Sequence, residues 1–172
     1  MYVPGGIHGG YFSILSQDYD PQGLIWLEFL FPGGSHEGFS SGGNYDYRGE
    51  ACLAALYAVL QFAQGKLTNA AGKYIRDYVD YEVLTNDVGL YGSSYGGVIS
   101  ALVFAKYSSG LEGVKYIVFY ESLLAATSQP QTTVEWLTTL ILAPMPIATG
   151  FPGTTIGTLT MFFTQPAKRG VP

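Results

Sequence analysis

Apolar positions along the chain fall into two kinds of run. Residues 24–31 (L-I-W-L-E-F-L-F) and 114–120 (V-K-Y-I-V-F-Y) are short and nearly continuous. Turn residues bound them, Pro32-Gly33-Gly34 after the first and a loop from Gly110 to Gly113 before the second. The first suits a strand buried on both faces, as in a parallel sheet covered by helices, and the second reads as the clearest strand in the chain. Residues 11–17 and 88–91 read as two further short strands, each beside a turn. Elsewhere the spacing is helical. Leu53, Leu56, Tyr57 and Leu60 predict a helix over 50–64, with Gly65 as its natural C-cap. Asn69 as N-cap, with Tyr74, Ile75, Tyr78 and Val79 on one face, predicts a second helix over 69–82. A third follows over 98–107, after a glycine-rich turn at 92–97.

Strand, helix, helix, strand, helix, strand is the order of an α/β fold with a parallel sheet. The expectation is one domain over 1–172, built as a three-layer α/β/α sandwich with a mostly parallel sheet. After Glu121 the rhythm fades. Residues 133–143 predict a helix stopped by Pro144, and 154–163 a strand. The whole stretch 123–172 reads as an irregular hydrophobic segment, a candidate lid or interface. Residues 136–167 carry no ionisable side chain, but Pro144, Pro146, Gly150, Pro152, Gly153, Gly157 and Pro166 interrupt them. No apolar run reaches the ~20 residues of a spanning helix, so no transmembrane span is expected.

Composition narrows the function classes. With 48% hydrophobic and 12% charged residues the chain is far from the signature of disorder. Asp and Glu number 13 against 8 Lys and Arg, with no basic stripe, so nucleic acid is set aside as a partner. The single cysteine, Cys52, excludes an intrachain disulfide and a thiolate zinc site. It lies in an apolar run, where it reads as a packing residue. The first ten residues lack the basic start and apolar stretch of a signal peptide, which makes a cytoplasmic location the default.

The chemistry concentrates at Gly92-Ser93-Ser94-Tyr95-Gly96-Gly97, a G-x-S-x-G pattern. A serine on a tight strand-to-helix turn projects its hydroxyl above the sheet edge. Side chains two residues before and after it would collide with the neighbouring strand and helix. The N-terminus of the following helix favours negative charge developing at the turn. In a chain with 23 glycines the pattern has a chance probability of about 0.2. Its context adds weight, since an apolar strand precedes it and a helix follows.

Residues 11–122, with the F-P-G-G stretch at 31–34 and the turn at 92–97, resemble the α/β-hydrolase superfamily, in particular its esterase- and peptidase-like members. The resemblance implies Ser94 as nucleophile and an oxyanion hole from the Tyr95 amide and one of Gly33 or Gly34. It implies cleavage of an ester, amide or peptide bond in a small-molecule or peptide acyl substrate through an acyl-enzyme, with no cofactor and no metal. Tyr95 is also a candidate for shaping the acyl pocket.

In that superfamily the chain order is Ser, then Asp or Glu, then His. Here the histidines are His8 and His36, both before Ser94. Three explanations are open: an incomplete hydrolase, a complete but inactive or weak one serving as a scaffold, or a rearranged site using His36. Glu121, directly after the strand at 114–120, is the candidate orienting carboxylate. Asp46 and Arg48 read as ties between their loop and the helix from Glu50. The rival class is a non-catalytic interaction domain with a hydrolase fold, self-associating through 123–172. A phosphate-binding doubly wound domain is the third.

Overall fold

The computed structural model describes residues 1–6, 9–10 and 24–122. The strand expected at 11–17, the elements at 133–143 and 154–163, the segment 123–172 and His8 lie outside the described residues. What is described is an α/β arrangement on a parallel sheet of three strands, β1 (Tyr2–Val3), β4 (Val88–Ser93) and β5 (Val114–Tyr120). The sheet order is β1-β4-β5, both pairings being parallel. Tyr2 and Val3 stand opposite Tyr91 and Gly92, and the β4–β5 ladder closes with Ser93 opposite Tyr120. Residues 24–31, expected as a strand, carry no assigned strand but lie beside the N-terminal segment. The Tyr2 N–H donates to the Leu27 carbonyl at 2.9 Å, and the Phe31 N–H to that of Gly9 at 2.7 Å.

The central strand explains its own sequence. Val88, Leu90 and Gly92 are buried while Gly89, Tyr91 and Ser93 are half-buried, so both faces carry cover. The core joins Val3, Leu27, Phe29, Phe31 and Leu90 to Leu56, Val59, Leu60 and Phe62 of α1 (Glu50–Ala63) and to Ile99 and Val103 of α2 (Tyr95–Tyr107). A second layer of aromatics crosses the sheet: Trp26 stacks on Tyr2 at 6.0 Å, Tyr2 on Tyr91 at 6.1 Å, and Tyr91 on Tyr120 at 5.8 Å. Beyond it β5 leaves Tyr116, Val118, Phe119 and Tyr120 exposed.

Helix α1 starts where the Asp46 carboxylate accepts the N–H groups of Gly49 at 3.1 Å, Ala51 at 2.6 Å and Cys52 at 3.3 Å. Those are orphan donors of a helix start, and a carboxylate there also complements the helix dipole. The helix ends as expected, with Gly65 in the left-handed conformation at φ +65° and its N–H on the Phe62 carbonyl. Tyr57 stacks on Tyr107 of α2 at 4.5 Å. At the same end Gln61, Gln64 and Lys66 all donate to the Gly110 carbonyl, at 2.6, 3.2 and 2.9 Å. That fan holds the loop ahead of β5 against α1.

The helix expected over 69–82 is absent. Asn69 does cap, but it caps a turn: its Oδ1 accepts the N–H groups of Ala71 and Lys73. Gly72 sits at φ +72° and Tyr74 is extended, which ends any helical path. Only one 3₁₀ turn, Ile75–Tyr78, survives, with the Tyr74 N–H on the Asp77 carboxylate at 2.7 Å. The stretch 33–47 contains a hairpin of β2 (Ser35–His36) and β3 (Phe39–Ser40). Glu37 at φ +49° and Gly38 at φ +81° form its two-residue turn, the conformation whose twist matches paired strands. No described helix is long and apolar enough to cross a membrane.

Candidate active site

Ser94 occupies the single residue between β4 and α2, at φ +51° and ψ −119°. This region is sparsely populated for a residue with a Cβ and costs on the order of 1–3 kcal/mol. Three features of the surroundings hold it there. The Ser94 N–H donates to the Tyr120 carbonyl at 2.8 Å, anchoring the turn to the end of β5. The Gly97 N–H donates to the Ser94 carbonyl at 3.1 Å, closing the first turn of α2. Glycines then permit the close approach of three backbones.

A Cβ on Gly92 would lie 2.6 Å from Gly97 Cα, and one on Gly96 would lie 2.1 Å from the Val3 carbonyl oxygen. These are the helix and strand collisions that the G-x-S-x-G spacing leads one to expect. Gly97 is equally confined, by Ser122. Because Gly96 and Gly97 belong to the first turn, α2 begins at Tyr95, three residues earlier than glycine content suggests. As the first helical residue, Tyr95 has an N–H that no carbonyl of its own helix can accept. It faces the turn at the positive end of the dipole.

The amides of the expected oxyanion glycines have partners of their own. The Gly33 N–H donates to the Gly42 carbonyl at 3.0 Å, and the Gly34 N–H to that of Phe31 at 2.8 Å and to Ser41 Oγ at 3.0 Å. Both amides are therefore engaged within their own loop, and Gly34 packs on Gly9 rather than on the turn. The glycine brought to Ser94 is Gly5, where a Cβ would lie 3.0 Å from Ser94 Cβ and 2.7 Å from the Ser93 oxygen. The reason is topological. β1, not the segment 24–31, is the direct neighbour of β4, and its own Pro4-Gly5-Gly6 follows it to the sheet edge.

Glu121 follows β5, exposed, at φ +50°, one residue after the carbonyl that binds the Ser94 amide. Its charge reaches Tyr91, whose hydroxyl is pushed up by burial first, then by Tyr120 and Glu121. His36 stands half-buried in the hairpin, paired with Phe39. Among the described residues, neither His36 nor Glu121 hydrogen-bonds Ser94, whose polar contacts are the two backbone bonds above. Tyr95 is half exposed at the rim of the turn.

Sequence reasoning passed over two neighbours of the turn, Gly5 and Ser122. Ser122 Oγ donates to the Gly92 carbonyl at 3.3 Å and packs on Gly97. The available signal for Gly5 was Val3-Pro4-Gly5-Gly6, a second apolar-P-G-G stretch beside the one at 31–34. No group of three or more His, Cys, Asp or Glu among the described residues is placed to hold a metal ion. Comparison with protein-family models, with curated proteins and with solved structures gave no match, so the geometry of the chain itself has to carry the reading.

Proposed function

We propose that the chain is a serine hydrolase of the α/β-hydrolase kind, with Ser94 as nucleophile. The observation that carries this is the backbone of Ser94 itself. A non-glycine residue held at φ +51° and ψ −119°, between a central parallel strand and a helix N-terminus, is the strained elbow that lifts a hydroxyl clear of the sheet. In this reading Ser94 Oγ attacks an ester, amide or peptide carbonyl, and the Tyr95 N–H receives the developing oxyanion. The second donor comes from the Pro4–Gly6 loop in place of Gly33 or Gly34. The C–O or C–N bond of the substrate breaks, its alcohol or amine departs with the proton given up by Ser94 Oγ, and water then hydrolyses the acyl-enzyme to the free acid and the serine hydroxyl. The three-layer sandwich belongs to the same proposal.

The test is a stopped-flow assay with p-nitrophenyl acetate on the full chain. The reading predicts a burst of about one p-nitrophenolate per chain, absent from Ser94→Ala. A folded protein without a burst, or an equal burst from Ser94→Ala, overturns it. His36→Ala and Glu121→Gln read out those two side chains. A base or its orienting carboxylate lowers the burst rate by orders of magnitude, and a bystander leaves it alone.

One observation favours the rival reading of an interaction scaffold. Tyr116, Val118, Phe119 and Tyr120 are 42–54% exposed on one strand, an apolar grouping of the kind found at interfaces. Size-exclusion of the full chain against Val118→Glu separates the readings: a scaffold self-associating there loses its oligomer, and a hydrolase keeps its burst.

A further inference from the structure

We propose that Arg48 is the positioning residue of the oxyanion loop, gripping Pro4, Gly5 and Gly6 by their carbonyls so that the loop amides face Ser94. This rests on the serine-hydrolase reading and adds to it a residue, a loop and a direction.

Arg48 is 6% exposed, although it begins the turn into α1 at the protein surface. The chain bends sharply to bury it, since Tyr47 and Arg48 are consecutive non-glycine residues at φ +56° and +71°. Strain of that kind persists only where the surroundings over-determine it, and it clusters at functional sites. The guanidinium sits over the Phe31 ring, its carbon 3.9 Å from the centroid, a cation–π arrangement suited to a buried arginine. From there one nitrogen, Nη2, donates toward three successive carbonyl oxygens: Pro4 at 3.0 Å, Gly5 at 3.2 Å and Gly6 at 3.4 Å.

Three carbonyls converging on one cation fix where the amides go. In a trans peptide the N–H points opposite to the C=O, and every described peptide bond is trans. The Gly5 N–H therefore points away from the group that holds the Pro4 carbonyl, and the Gly6 N–H away from the group that holds the Gly5 carbonyl. Gly5 is also the residue whose missing side chain would meet Ser94. Arg48 thus grips the carbonyl side of the loop and leaves its N–H side unheld, beside the turn that Gly5 touches. Its positive charge aligns those peptide dipoles toward the position an oxyanion would take, the preorganisation that such sites need. Glycine at position 5 is required by contact with Ser93 and Ser94. Gly6, at φ +76° with open space around it, is required by backbone conformation.

The test follows Ser94 labelling by a fluorophosphonate in the full chain, with far-UV circular dichroism and thermal unfolding measured alongside. Arg48→Gln keeps hydrogen-bond donors but loses the charge and the fork. It should slow labelling on the order of 100-fold, the scale of one lost oxyanion donor, with the fold intact. Arg48→Ala should be as slow, and millimolar methylguanidinium should restore much of the rate, which a general packing defect would not allow. Gly5→Ala displaces the loop without touching Arg48 and should slow labelling likewise. Arg48→Gln or Gly5→Ala labelling at the wild-type rate while folded overturns this proposal alone. If the arginine variants fail to fold, the Gly5→Ala rate decides. A folded wild-type chain that resists the probe overturns the hydrolase reading and this proposal with it.

Discussion

Placing one methyl group on Gly96 tests the packing on which the site depends. The new Cβ would stand 2.1 Å from the Val3 oxygen, 2.8 Å from its carbonyl carbon and 2.9 Å from the Pro4 oxygen, where ordinary contact begins near 3.4 Å. All three atoms are backbone, so no side chain can swing aside. Either α2 lifts off the sheet or β1 slides, and β1 holds Val3 in register with Gly92. Overpacking of this kind costs roughly 1–3 kcal/mol, and a clash with rigid backbone belongs at the top of that range. Alanine in place of glycine in a helix returns at most about 1 kcal/mol. Gly96→Ala should therefore lose about 2 kcal/mol net, with steric cost outweighing helix propensity. In urea, with a slope of about 2 kcal/mol/M, the unfolding midpoint falls by about 1 M. Gly97→Ala gives the internal comparison. Its Cβ meets Ser122 Oγ at 1.9 Å and Phe119 Cδ1 at 2.9 Å, both side-chain atoms, so a smaller loss is expected. A Gly96→Ala midpoint equal to or above the wild-type value would refute the packing of α2 on β1.

Other consequences are equally direct. Asp46→Asn should destabilise by about 0.5–1 kcal/mol at pH 7, because it removes the negative charge at the N-terminus of α1. Burial alone would raise the Asp46 carboxyl, but hydrogen bonds from Cys52, Ala51 and Gly49 outweigh it and hold the group below its ordinary 3.8. The contribution is therefore present above that value and lost as pH falls through the lower folded one, so urea midpoints of wild type and variant should converge as pH is taken down below the ordinary carboxyl range. The Cys52 thiol, pushed up to about 11 by burial and then by Asp46, should ignore a disulfide reagent at pH 8 until the protein unfolds. Labelling of the native state on the minute scale would contradict its place in the core. Tyr57→Ala, which removes the stack on Tyr107 and the contact with Gly110, should lose about 2 kcal/mol by thermal unfolding. An unchanged melting temperature would mean that the two helices do not meet there.

Where local pattern and tertiary packing agree, the sequence could be read directly. Helix α1 carries its apolar stripe, the acidic residue before it and its terminal glycine in one stretch. The turn at Ser94 could be read because its glycines answer to steric demands two residues on either side. The misread helix at 69–82 shows the opposite case. Tyr74, Ile75, Tyr78 and Val79 have helical spacing, but Asn69 and Gly72 bind the backbone into a turn first. The stretch 31–34 drew the reading because 24–31 is the more conspicuous apolar run. A two-residue strand ahead of Pro4 has no periodicity, and only its parallel pairing with residues far along the chain makes it the neighbour of Ser94. Arg48 could not be read fully for the same reason: its partners lie about forty residues earlier in sequence.

The central claim is that the backbone of the elbow makes Ser94 a nucleophile. The most direct measurement is intact-mass and peptide mapping of the folded chain after exposure to a fluorophosphonate. One phosphonyl group on the peptide bearing Ser94, lost in Ser94→Ala and in heat-unfolded protein, is the predicted result. A folded chain that stays unmodified, or modification at Ser93 or Ser122 with Ser94 untouched, would contradict it.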